Sequence, residues 1–158
     1  MYSYFEAVLK QTMADKIATA HHVDDQIETF FLRAIRGTTL TGLRGIPQAR
    51  GHIIRPLIRL ERSQILSYLK DRQIQYITDE TNLESNTDRN FVRNVILPNV
   101  EVRFPNYRKS VLRTIEMVDR DDDLLDQMSD ELYRSAVTRP TDEMVIDIKQ
   151  LKNLPHSM

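Results

Sequence analysis

The stretch Ala20-His21-His22-Val23-Asp24-Asp25-Gln26-Ile27-Glu28-Thr29 puts two histidines, two aspartates and a glutamate within eight residues, with Arg33 and Arg36 following closely. Carboxylates near a helix start can bind an ammonium group or a magnesium ion, since both need oxygen acceptors or ligands. Capping offers a plainer explanation. Asp24 or Asp25 as an N-cap and Glu28 as a first-turn acid would each be worth about 1 kcal/mol or less. That accounts for one carboxylate, not for three beside two histidines, so Asp25, Glu28 and His21 are the candidate chemical groups. A second set is Arg89 and Arg93, whose spacing of four places them on one helix face where they could clamp successive phosphates.

These groups need elements to position them. Lys16-Ile17-Ala18-Thr19-Ala20 reads as a buried strand and the following residues as a helix, so the polar cluster falls on a strand-to-helix turn. Such turns are where ligands bind in open α/β sheets. Ahead of it, Phe5, Val8, Leu9 and Met13 mark a helix face. Behind it, Ile27, Phe30, Phe31, Ala34 and Ile35 form an apolar stripe that leaves Asp25, Thr29, Arg33 and Arg36 on another face, and Gly37 suits the helix end. Thr38 to Gly51 reads as a flexible connection with three glycines and a proline. His52 to Leu57 reads as a strand whose Pro56 places it at an edge or a strand end.

Ile65, Tyr68 and Leu69 then give another helix face, and Gln75 to Thr78 a short strand. This alternation predicts a parallel α/β sheet. A polar loop follows from Asp79, and Asp88 is placed to cap the helix bearing Arg89 and Arg93, whose Phe91, Val95 and Ile96 face a core. Beyond Pro98 and Pro105, Val111, Ile115, Val118, Leu125, Met128 and Leu132 predict a long acidic helix, on which Asp121, Asp122 and Asp123 read as solvated charge. Met144 to Ile148 suits a strand. The expected organisation is a first unit over 1–98 and a helical segment over 99–158, with the chain cut at both ends.

A hydrophobic fraction of 41% and a charged fraction of 28% are those of a soluble globular protein. No apolar run is long enough to span a bilayer, no leader is present, and the cytoplasm is the expected location. The absence of cysteine excludes disulfides, thiolate–metal sites and a cysteine nucleophile. The net charge of −1 hides an asymmetry: residues 33–113 carry fifteen Lys/Arg against seven Asp/Glu, a balance of +8 between acidic ends. A basic, arginine-rich middle with interspersed aromatics suits a polyanion such as nucleic acid.

His-His-x-Asp-Asp-Gln-x-Glu-Thr at 21–29, Arg36-Gly37, Arg55-Pro56-Leu57, Asp79 to Asn82 and Arg89-Asn90-x-x-Arg93, in this order, closely resemble the tRNA(Ile)-lysidine synthetase family of N-type ATP pyrophosphatases. The resemblance implies an adenine nucleotide alpha hydrolase-like domain, partial here, followed by a mainly helical segment. It implies a carbon–nitrogen ligase that uses ATP and Mg2+. The wobble cytidine of tRNA(Ile) would be adenylated at C2 and the adenylate displaced by L-lysine to form lysidine. Carried onto this chain, Asp25 and Glu28 would hold the lysine amino group, or Asp25 a magnesium ion, with His21 beside them. Arg36, Arg89 and Arg93 would hold tRNA or nucleotide phosphate. A homodimer is compatible with the resemblance, and a membrane is not expected.

The family's Ser-Gly-Gly-x-Asp-Ser phosphate loop does not occur in the 158 residues, and Phe91 and Asn94 stand where relatives carry basic residues. The chain alone is therefore expected to be inactive. Two rivals are a tRNA thiolase of the same superfamily, which generally relies on cysteines that are absent here, and a non-catalytic RNA-binding remnant.

Overall fold

The computed structural model describes residues 2–77, 87–138, 145, 146 and 148. Helix α1, Tyr2–Thr12, half-buries Val8 and Leu9 but leaves Phe5 largely exposed. Met13, expected on the same face, lies beyond the helix end with φ 52° and is solvent-exposed. Strand β1, Ile17–Ala18, pairs in parallel with β3, Ile53–Ile54, matching Ile17 to Ile53 and Ala18 to Ile54. Between them in sequence lie α2, Val23–Arg36, the short α3, Leu40–Leu43, and β2, Ala49–Arg50.

The parallel α/β expectation holds for β1 and β3, whereas β2 is antiparallel to β3, giving a mixed sheet in the order β1-β3-β2. Gly51, with φ 59°, opens the two-residue turn joining β2 to β3, a position that suits glycine. The stretch 38–51 is thus more than a flexible connection; α3 and β2 are too short for periodicity to reveal. Strand β3 is central, so Pro56 marks a strand end and not an edge.

Helix α4, Arg62–Asp71, follows, but Gln75, Tyr76 and Ile77 form no strand, and Thr78 with the loop to Asn86 lies outside the described residues. Residues 88–103 run as one helical path: α5, Asp88–Phe91, a π-helical segment, Val92–Ile96, and α6, Leu97–Arg103. The cap of α5 is Thr87, whose Oγ1 accepts from Asn90 N at 3.2 Å, and not Asp88. Pro98 offers no N–H and its ring crowds the carbonyl four residues back. The wider π turn, with Leu97 N donating to Val92 O, precedes it. This re-phases the helix: Val92 and Leu97, five apart, are buried, while Phe91 and Val95, expected in the core, are exposed.

Helix α7, Tyr107–Ala136, would extend about 45 Å at 1.5 Å per residue. It leads into β4, Val137–Thr138, paired antiparallel with β5, Val145–Ile146. The core contains Val23 and Ile27 of α2, Val92, Leu97 and Tyr107, with Phe31, Leu32, Ile96, Val100, Val111 and Leu112 packed against it. It therefore runs across residue 98. On α2 Val23 and Ile27 are buried and Phe31 is partly buried against them; Ala34 and Ile35, expected to share the stripe, are exposed. The first half of α7 buries Ile115, but Leu125 and Met128, read as part of the same face, stand exposed.

Candidate functional site

The polar cluster lies where β1 hands over to α2, and its first member caps the helix. His22, in an extended conformation, is the N-cap; its Nδ1 accepts from Asp24 N at 3.3 Å, and Asp25 Oδ2 accepts from His22 N at 2.8 Å. The N-cap is thus a histidine and neither Asp24 nor Asp25, with Asp25 answering from the third helical position as in a capping box. One oxygen of Asp25 is occupied in this way. Its Oδ1 points towards the arginine-bearing helix.

Arg89 Nη2 donates to Asp25 Oδ1 at 2.8 Å, and Arg89 Nε donates to Glu28 Oε2 at 2.9 Å. Arg93 donates from Nε to Glu28 Oε1 at 2.6 Å and from Nη2 to Glu28 Oε2 at 2.9 Å. Glu28 is 1% exposed, and only this paired geometry makes so buried a carboxylate tolerable. Bonding to Glu28 raises the Arg93 pKa above its ordinary value despite burial. The four-residue spacing does put both arginines on one face, and here that face meets the carboxylates. Arg36, at the far end of α2, pairs with Asp88 in the first turn of α5.

His21 lies beside this network, its Nδ1 2.9 Å from Thr19 Oγ1. Burial lowers its pKa; Asp25 opposes the shift, while Arg55, Arg89 and His22 reinforce it. The ring is therefore held neutral more firmly than a free histidine. Every carboxylate oxygen of Asp25 and Glu28 accepts from a nitrogen donor. Among the described residues no cluster of three metal-ligating side chains occurs. A magnesium ion, like any other cation, would have to displace Arg89 or Arg93 to reach these oxygens.

Three elements of the site escaped the sequence reading. Arg108, at the start of α7, pairs with Asp24 across an open cleft of about 1000 Å³ whose walls include His21, Glu28, Arg62, Arg93 and Tyr107. Burial pushes the Asp24 carboxyl up, but Arg108's hydrogen bond and charge, helped by His22, bring it below the ordinary 3.8. Gln26 clasps the backbone of Ile46, donating from Nε2 to its carbonyl at 2.8 Å and accepting its N–H at 2.6 Å. That clasp requires Gly45, because a Cβ there would stand 2.2 Å from Gln26 Oε1.

Third, Arg44 binds Asp119 at 2.6 Å, Asp122 at 2.9 Å and Asp123 at 2.5 Å, fastening the α3 loop to α7. Part of the acidic run read as solvated is therefore paired, and Asp122 is buried. Sequence spacing carries no signal for pairs separated by 75 to 84 residues.

Residues 1–100 match the PP-loop domain family, and with 100 of 158 residues matched the chain belongs to it. Its similar proteins include the tRNA(Ile)-lysidine synthases of Caldanaerobacter subterraneus subsp. tengcongensis, 36% identical over 96% of this chain and 33% of that protein, and of Bacillus subtilis, 32% identical over 98% and 34%. That of Nitrosomonas europaea is 37% identical over 78% of this chain and 28% of its own length. The chain spans about a third of the length of these curated relatives. Among the described residues no helix is long and apolar enough to cross a membrane.

Proposed function

We propose that this chain forms one wall of a cytoplasmic tRNA-modifying ligase site. In this reading ATP activates the wobble cytidine of tRNA(Ile) at C2, and L-lysine displaces AMP to give lysidine. The observation that carries it is the pair Asp25 and Glu28, held side by side in an open cleft and already satisfied by cations. A lysine ammonium offers the same charge and three N–H donors. His21, neutral and adjacent, can take the proton that the amine must lose before it attacks.

Arg89 and Arg93 now occupy the carboxylates that lysine would need. Two assignments, lysine on Asp25 and Glu28 and phosphate on Arg89 and Arg93, are therefore linked by exchange: anionic phosphate draws the guanidiniums away as the ammonium enters. Family likeness to lysidine synthases and the PP-loop match support the substrate classes, ATP and tRNA.

The test is ATP–pyrophosphate exchange and lysine transfer with unmodified tRNA(Ile), alongside direct lysine titration. The chain alone should bind lysine and RNA without catalysing exchange, because the phosphate loop is not among its residues. Robust exchange by the 158 residues would overturn that division of labour. Binding of neither lysine nor tRNA would overturn the assignment.

A further inference from the structure

The basic charge of residues 33–113 is unevenly available. Arg36, Arg44, Arg89, Arg93 and Arg108 all face carboxylates. Arg33 and Arg55 donate to backbone carbonyls of the α3 loop and its continuation. Within 59–72, Arg59, Lys70 and Arg72 are exposed and have no carboxylate partner among the described residues, as is also true of Arg50, Arg103, Lys109 and Arg113 elsewhere in the segment.

The same short region carries exposed aromatics. Tyr68 and Tyr76 are each 57% exposed, and the Arg72 guanidinium lies 5.6 Å from the Tyr68 ring centroid, a cation–π arrangement. Ile74 N donates to Leu69 O at 2.9 Å, turning the chain back so that Tyr76, Lys70, Gln73, Leu66, Leu69 and Ile74 border an open groove of about 650 Å³, whose lining does not include Tyr68 or Arg72. Gln73 makes the turn with φ 53°.

Accessible aromatic faces interleaved with unpaired cations form the combination that binds single-stranded nucleic acid: bases stack on the rings while cations follow the backbone. We propose that the C-terminal end of α4, through Tyr68, Arg72, Lys70 and Tyr76, is a stacking platform for unpaired bases of the RNA substrate, separate from the Asp25–Glu28 cleft. This rests on the reading that the substrate is an RNA.

The test is anisotropy titration of a labelled tRNA(Ile) anticodon stem–loop across a salt series, using the wild-type protein and Tyr68→Ala, Tyr68→Phe, Tyr76→Ala and Arg72→Ala. Each tyrosine-to-alanine change should weaken binding about tenfold, because stacking is lost. Tyr68→Phe keeps the ring and should bind as wild type does. Arg72→Ala should reduce the magnitude of the log K against log salt slope by about 0.7. Lysine titration should be the same in all five proteins, which also reports that the variants are folded.

Wild-type affinity in both alanine variants would overturn the platform while leaving the proposed function standing. A change in oligomeric mass with unchanged RNA affinity would overturn it too, marking the face as a protein contact. Failure of the wild-type protein to bind any RNA would overturn both readings.

Discussion

Glu28 of α2 and Arg93 of the π-helical segment form a bidentate ion pair, with Nε to Oε1 at 2.6 Å and Nη2 to Oε2 at 2.9 Å, and Glu28 is almost wholly buried. Arg89 adds a third bond to the same carboxylate. A residue offered by the sequence as a ligand group is thus also a structural one, and the two roles need separate tests.

Glu28→Ala should lower stability by roughly 2 kcal/mol, because it takes the bidentate partner from Arg93 and leaves Arg89 with Asp25 alone; the partial exposure of both guanidiniums keeps the loss below that of a fully buried pair. Asp25→Asn should behave differently. The amide oxygen can still accept from His22 N, and although its NH2 then faces Arg89, that guanidinium is partly exposed and keeps Glu28, so denaturant unfolding should change by about 1 kcal/mol. Lysine affinity should nevertheless fall tenfold or more, corresponding to about 1.5–3 kcal/mol for a lost charge-assisted contact. Proportionate losses of stability and affinity in Asp25→Asn would assign Asp25 to capping alone.

Exchange between ammonium and guanidinium predicts that RNA and lysine bind cooperatively. Calorimetric titration should show tighter lysine binding with saturating tRNA(Ile) than without it, by about fivefold or more if the coupling is of ordinary allosteric size. Arg93→Ala should bind lysine independently of RNA. Equal coupling in the variant and the wild type would remove Arg93 from the exchange.

The pH dependence has two limbs. His21 titrates below its ordinary 6.5 in the folded chain, so the unfolded chain takes up the proton first as pH falls. Stability is therefore lost on acidification from about pH 6.5 down to the folded value. His21→Asn should lessen the drop in melting temperature between about pH 8 and pH 5. Asp24 titrates below 3.8 when folded, so its contribution is present above 3.8 and disappears as pH falls through the folded value. Arg108→Ala should weaken only that acid limb. A wild-type profile in His21→Asn would contradict the first assignment.

Arg44→Ala should cost about 3 kcal/mol, since it strands Asp122, whose side chain is 8% exposed, without its cation. Asp123→Ala, at a 56% exposed position, should cost about 1 kcal/mol or less. Urea unfolding of the two variants distinguishes this keystone from a diffuse charged surface, for which the losses would be alike.

Local physics made much of the chain legible. The strand-to-helix turn at 17–23, the helices carrying Phe31 and Ile115, the end of α2 at Gly37, and the clustering of His21, Asp25 and Glu28 all follow from residue type and spacing. The order of motifs along the chain identified the family. Periodicity reports only neighbours within a turn or two, so it could not show that Arg89 and Arg93 lie against Asp25 and Glu28, 61 to 65 residues away. Nor could it show Arg108 closing on Asp24, or Arg44 gathering the acidic run of α7. Regular 3.6-residue phasing also misplaced Phe91 and Val95, because the π segment before Pro98 rotates that helix out of step. Long-range pairing of charge is decided where elements pack, since the low polarity of a buried contact makes an unmatched carboxylate costly, and only tertiary structure brings the matching groups together.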